Sequence, residues 1–173
     1  MSKIKERISR EAVEARIKEL GKQISEDYAE SGVHLVCILK GAFMFMSDLA
    51  KEITCPVSID FMAVSSYEDQ LESTGIVKIV KDLDGSIEGK DVLVVEDIID
   101  SGRTLYYLMQ ILEKRNPKSL RLAALLDKEP RRVVPVDVSY VGFKIEDFFV
   151  LGYGLDYKQY YRNLPFIGEM VED

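Results

Sequence analysis

Histidine and cysteine are scarce in this sequence: one histidine, His34, and two cysteines, Cys37 and Cys55, in 173 residues. A histidine-activated nucleophile or a zinc site would rest on that single imidazole, and no CxxC spacing or Cys/His cluster supports either. Both cysteines lie near apolar runs and read as buried free thiols in a reducing cytoplasm. Positive charge is also short. Lys and Arg number 23 against 30 Asp and Glu, a formal net charge of −7, which argues against general attraction to nucleic acid. A phosphate-bearing ligand would therefore be neutralised locally, by a few cations, backbone amides or a metal. Long apolar runs are missing as well. LVCIL (35–39) is broken at once by Lys40 and Gly41, far short of the ~20 apolar residues of a membrane-spanning helix. The N-terminus, MSKIKERISREAVEARIKEL, has no apolar h-region, so a secretory signal is not expected and the chain reads as cytoplasmic.

What is present suits an ordinary globular protein, with 47% apolar and 31% charged residues. The length suggests one domain over 1–173. Val13, Ile17, Leu20, Ile24 and Tyr28 recur at helical spacing, predicting a helix over 10–30 that Gly32 stops. HLVCIL (34–39) predicts a strand buried on both faces, and 42–53 a helix. Strands are expected at 57–64, 76–83, 91–99, 120–126, 138–143 and 147–153, and a helix at 104–115 closed by Asn116-Pro117. Strands alternating with helices predict an α/β fold around a largely parallel sheet. The polar segment SSYEDQLESTG (65–75) shows no convincing period and is long for a connection.

Two glycine motifs are set aside. GSIEGKD (85–91) has too few residues between its glycines for a P-loop and precedes a strand. GYGLDY (152–157) lacks the third glycine and the following helix of a dinucleotide fingerprint. Both read as turns.

VVEDIIDSGRTL (94–105) is different. An apolar strand ends in Glu96 and Asp97, and the loop Asp100-Ser101-Gly102-Arg103-Thr104 then opens a helix. Ligands of open α/β sheets bind outside the carboxyl ends of strands, and a helix start offers unpaired amides and the positive end of a dipole to anions. Ser101 and Thr104 add hydroxyls, and Gly102 permits close approach of the backbone. Glu96 and Asp97 could accept from sugar hydroxyls or hold a divalent metal. The competing reading is an ordinary capped helix. It leaves the adjacent carboxylates unexplained, because charge is costly to bury at a strand end.

This stretch resembles the signature of phosphoribosyltransferases that use 5-phosphoribosyl-1-pyrophosphate. More narrowly, the chain resembles the short bacterial hypoxanthine (hypoxanthine-guanine) phosphoribosyltransferases. LKG (39–41), SSYEDQLESTG (65–75) and LLDKEP…DFFVLGYGLDYKQYYRNLP (125–165) extend the resemblance over almost the whole chain. It implies a type I phosphoribosyltransferase-like fold with a small C-terminal hood region. It also implies transfer of 5-phosphoribosyl to hypoxanthine or guanine with Mg²⁺, giving IMP or GMP and pyrophosphate. By the same resemblance Ser101 to Thr104 hold the 5′-phosphate, Glu96 and Asp97 serve the ribose hydroxyls and Mg²⁺, and Asp100 is the general base at N7 of the purine. Lys40, Gly41 and Arg162 serve pyrophosphate, with the Leu39–Lys40 peptide expected to be cis in at least some states. Lys128 donates to the purine O6, Phe149 stacks on the base, Val150 reads its edge, and Asp156 matches a ligand of a second Mg²⁺. Ser66 and Tyr67 belong to a closing lid. Taken alone, Lys40 reads equally as a strand end and Phe149 as a core aromatic.

The expected partners are small molecules, with neither nucleic acid nor membrane, and the assembly a homodimer or homotetramer with apolar residues around 42–46 as its interface. Two alternatives stay open: an RNA-binding regulator on the same fold, which the acidic balance disfavours, and an enzyme of the fold acting on another base.

Overall fold

A computed structural model describes residues 3–66 and 77–171. The chain begins with strand β1 (Lys3–Ile8), helix α1 (Arg10–Asp27), β2 (Val33–Leu39), α2 (Phe43–Lys51) and β3 (Val57–Ser66). It continues through β4 (Val77–Lys81), β5 (Asp91–Ile99), α3 (Arg103–Glu113) and β6 (Ser119–Asp127), then β7 (Tyr140–Lys144), β8 (Val150–Leu151) and β9 (Ile167–Val171). A six-stranded sheet has the order β4-β3-β2-β5-β6-β7, and a three-stranded sheet the order β1-β9-β8. In the larger sheet only β4 runs antiparallel, so the largely parallel arrangement expected of the sequence is observed.

Each element follows from its side chains. Ser9 caps α1, its hydroxyl accepting from the Ala12 amide at 3.1 Å. The stripe Val13, Ile17, Leu20 and Ile24 is buried against the sheet and α2. The helix stops earlier than expected, at Asp27, because the chain turns at Tyr28, whose carbonyl accepts from Gly32 at 2.9 Å. β2 is covered on both faces, with Leu35 and Cys37 in one core and Val36 and Ile38 in the other. α3 closes the second core with Leu105, Leu108 and Leu112; burying each such side chain is worth about 1.5–3 kcal/mol.

Three expectations need correction. The small sheet is not C-terminal alone, because β1 from the N-terminus pairs along β9. KIKERI is mostly charged, with only Ile4 and Ile8 turned partly inward and a bulge between Glu6 and Ile8, so its pattern does not read as a strand. The strand expected at 147–153 shrinks to Val150–Leu151, since Gly152, Tyr153 and Gly154 all take positive φ and cannot continue it. The stretch 42–46 is not an exposed apolar face: Ala42, Phe45 and Met46 are in the core, Met44 is partly buried, and only Phe43 of the five is exposed.

Candidate active site

The parallel strands β2, β5 and β6 deliver their carboxyl ends to one edge of the sheet, where three loops meet. The first is Lys40-Gly41, directly after β2, with the Leu39–Lys40 peptide cis. Gly41 stands against Asp97, and a Cβ at Gly41 would fall 1.7 Å from Asp97 Oδ2. Only glycine lets that carboxylate lie against the loop.

The second loop follows β5. Glu96 Oε1 accepts from the Asp97 amide at 3.0 Å, and Asp97 Oδ1 accepts from the Ile98 amide at 2.7 Å. The Glu96 carboxyl is held well above the ordinary carboxylate range, first by burial and then by the neighbouring charge of Asp97. The Cys37 thiol, on the adjacent strand, is pushed up to about 12, first by burial and then by the same two carboxylates. Helix α3 starts from Gly102, whose φ of 85° is left-handed and which lends no side-chain cap. Asp100 therefore does not cap the helix. Ser101 Oγ accepts only a long bond from the Arg103 amide, at 3.4 Å, and the Ser101 carbonyl accepts from Val133 and Val134 at 2.9 and 3.2 Å.

The third loop, after β6, backs the second. The Lys128 amide donates to the Ile99 carbonyl at 2.9 Å. Arg132 pairs with buried Asp127 and donates to the Asp100 carbonyl at 3.3 Å. Arg131 Nε lies 3.2 Å from Asp100 Oδ1, and its Nη1 3.4 Å from Asp147 Oδ2. Asp147 in turn faces the buried Lys128 ammonium at 3.6 Å. A chain of alternating charge thus joins Asp100 to Lys128. The sequence reading did not assign Arg131 and Asp147 to it; the Arg131-Arg132 pair beside Lys128 was the available signal.

The segment after β8 closes the edge. Phe149 is 51% exposed and meets Tyr157 edge-on at 5.6 Å, so it is no core aromatic. Val150 is buried and paired with Glu169 of β9. Asp156 accepts from the Gln159 amide at 2.8 Å and pairs with Arg162 at 3.2 Å, and Arg162 also donates to the Gly154 carbonyl at 2.7 Å. Thr104 lies in the first turn of α3. Ser66 is the last residue of β3, and Tyr67 lies outside the described residues.

Among the described residues no three His, Cys, Asp or Glu side chains are placed to share a metal ion. The Glu96–Asp97 pair still suits one kind of ion. Two adjacent carboxylates, one of them driven toward its neutral form, provide an acceptor set that a cation would relieve. Magnesium is characteristically held by one or two carboxylates, with substrate oxygens and water completing the shell. Asp156 is already engaged by Arg162.

Strand-end loops bring acids, backbone amides and a buried lysine together at one sheet edge, where ligands of open α/β sheets bind. The profile of the phosphoribosyl transferase domain matches residues 6–158, and the chain belongs to this family. It is 55% identical to the hypoxanthine phosphoribosyltransferase of Salmonella typhimurium, over 92% of this chain and 90% of that one. It is 50% identical to the hypoxanthine-guanine phosphoribosyltransferase of Dictyostelium discoideum, over 93% and 92%. A solved hypoxanthine-guanine phosphoribosyltransferase from Bacillus anthracis superposes with a TM-score of 0.94 at 47% identity, covering 98% of this chain and all of that one.

Proposed function

We propose that this protein transfers the 5-phosphoribosyl group of 5-phosphoribosyl-1-pyrophosphate to N9 of hypoxanthine, and of guanine, releasing pyrophosphate. The observation that carries the reading is the contact of Asp97 with Gly41. It brings the acidic strand end and the loop after β2 together, as a substrate with a ribose at one end and a pyrophosphate at the other requires.

In this reading the amides and hydroxyls at Ser101, Gly102, Arg103 and Thr104 hold the 5′-phosphate at the start of α3. Glu96 and Asp97 would hold Mg²⁺ at the ribose end, and Asp156 would serve a second ion. The metal, when bound, neutralises charge on the leaving pyrophosphate. The amides of Lys40 and Gly41, with Arg162, receive that group. Charge builds at the anomeric carbon as it departs. Phe149 offers its exposed ring to one face of the purine, the Val150 backbone reads its edge, and Lys128 donates to O6. Adenine carries an amino group there and is refused. Asp100 takes the proton from N7. Ser66 and Tyr67 shield the cation from water. One domain carries the whole reaction. Metal and backbone amides do the neutralising, so an acidic chain can hold an anionic substrate.

The protein also works as a homodimer or homotetramer in the cytoplasm. Ile59 and Phe61, two residues apart on β3, together with Val80 of β4, offer exposed apolar surface in support.

The test is pyrophosphate release from phosphoribosyl pyrophosphate and Mg²⁺ with hypoxanthine, guanine, xanthine, adenine, uracil and orotate offered separately. Turnover with hypoxanthine or guanine and none with adenine is expected; turnover confined to adenine or a pyrimidine would overturn the substrate assignment.

A further inference from the structure

The GYG motif at 152–154 is set aside as a turn on sequence grounds, yet its fold ties it to the loop after β2. Gly152, Tyr153 and Gly154 have φ of 91°, 48° and 98°, three successive left-handed residues with a bulky aromatic in the middle. Backbone bonds hold the turn on both sides: the Tyr153 amide donates to Leu164 at 2.8 Å and the Gly154 amide to Arg162 at 2.9 Å. A Cβ at Gly154 would fall 2.2 Å from the Gly41 carbonyl oxygen. The turn therefore lies directly on the Lys40-Gly41 loop.

Between its two glycines, Tyr153 reaches into the protein and is 4% exposed. Its phenol donates to the Asp48 carboxylate and lies 3.5 Å from the Met44 carbonyl. Both acceptors belong to α2, the helix that Lys40-Gly41 leads into. Burial, and then the hydrogen bond to Asp48 and its charge, hold the phenol well above its ordinary pKa, so it remains a donor. One side chain thus fastens the helix behind the loop to the segment carrying Asp156 and Arg162.

We infer that Tyr153 and Asp48 are a positioning pair for the pyrophosphate end of the site: the phenol–carboxylate bond fixes the register of the Lys40-Gly41 loop against Gly154 and Arg162. The inference rests on the phosphoribosyl-transfer reading above. Neither residue touches substrate. A small displacement of a binding loop is expensive in catalysis, so the pair would act on pyrophosphate-bearing ligands and leave the purine end alone.

The experiment compares Tyr153→Phe, Asp48→Ala and Asp48→Asn with the wild type, varying each substrate in turn. Asp48 borders an open cleft of about 440 Å³ lined also by Arg10, Glu14 and Lys51, so its replacement leaves the core whole even if Tyr153→Phe fails to fold. Tyr153→Phe and Asp48→Ala are expected to raise KM for phosphoribosyl pyrophosphate about tenfold, with KM for hypoxanthine within about twofold. Asp48→Asn still accepts from the phenol and is expected to recover most of the loss. Lys51→Ala, which removes the 3.0 Å ion pair to Asp48 on the solvent side, serves as the control and leaves both constants unchanged. Equal changes in the two KM values, or lowered melting temperature with both constants unaltered, would overturn the positioning role while leaving the function intact. A wild-type protein inactive with every 6-oxopurine would overturn the function and this inference with it.

Discussion

The amino ends of the central strands and the acidic carboxyl end of β5 treat polar side chains in opposite ways. At the amino ends of the strands, polar groups satisfy one another across neighbours. His34 Nδ1 lies 2.6 Å from Ser58 Oγ, joining β2 to β3, and Ser119 Oγ donates to Asp91 at 2.6 Å, joining β6 to β5. At the carboxyl end of β5 Glu96 and Asp97 turn to their own backbone, and burial and then the charge of Asp97 raise the cost of ionising Glu96. Asp127, at the same end of the sheet on β6, shows the alternative, since it is paired with Arg132. The difference separates residues that hold the sheet from residues kept for a ligand. It also places the lone histidine at the end away from the site, near the start of β2.

The sharpest way to break the comparison is to change one residue at the carboxyl end and measure activity and stability together. Asp100→Asn is expected to lower kcat by about 10²–10⁴-fold, the usual contribution of a general base, with modest change in KM. Its stability should move little, since the carboxylate is half exposed, its pairing with Arg131 is solvent-screened and it caps no helix. Unchanged kcat with a lowered unfolding midpoint would return Asp100 to a structural role.

Much of this end was legible beforehand, because its chemistry is local. Glu96 to Thr104 form one continuous stretch in which a strand, an acidic pair and a helix start follow in order, and β5 occupies the predicted 91–99. The limits of legibility lie where contacts are long in sequence. Arg131 meets Asp100 across 31 residues and Tyr153 meets Asp48 across 105, separations that no periodicity records. β1 and β9 escaped for a related reason: β1 is largely exposed and charged, and the two strands pair only across the whole length of the sequence. Phe149 misleads in the other direction, since an aromatic in a strand ordinarily packs inward, whereas Phe149 stands just before β8 begins at Val150 and is exposed.

In the structural part of the sheet, Asp60 offers the next largest effect. This buried carboxylate on β3 accepts from the Phe61, Asp84 and Gly85 amides at 2.7, 2.9 and 3.3 Å, fixing the turn that follows β4. Burial raises its pKa, but the amides outweigh burial and leave it below the ordinary value. Asp60→Ala leaves those donors without a partner and is expected to cost about 1–3 kcal/mol in urea unfolding. A depressed folded-state pKa contributes stability present above the unfolded value of ~3.9 and lost as pH falls through the folded value. The gap between wild type and Asp60→Asn should therefore narrow from neutral pH toward about pH 3. A constant gap would mean that the amides recognise the shape of the side chain and not its charge.

The smallest effect belongs to His34, and because it is the only histidine its imidazole proton resonance reports a single titration. Burial first, and then the charge of Lys90, lower its pKa against the opposing pull of Asp60. Its folded-state midpoint is expected below the ordinary ~6.5. The sign follows from linkage. Between the two values the unfolded chain binds the proton more readily, so this contribution is complete above ~6.5 and declines as pH falls toward the folded value. Ser58→Ala removes the hydroxyl at Nδ1 and is expected to cost about 1 kcal/mol, with kcat and both KM values unchanged. A midpoint at or above ~6.5 would show the ring to be held as a cation. A loss of turnover in Ser58→Ala would show that the two ends of the sheet are coupled through β2, and the division between holding and binding residues would then fail.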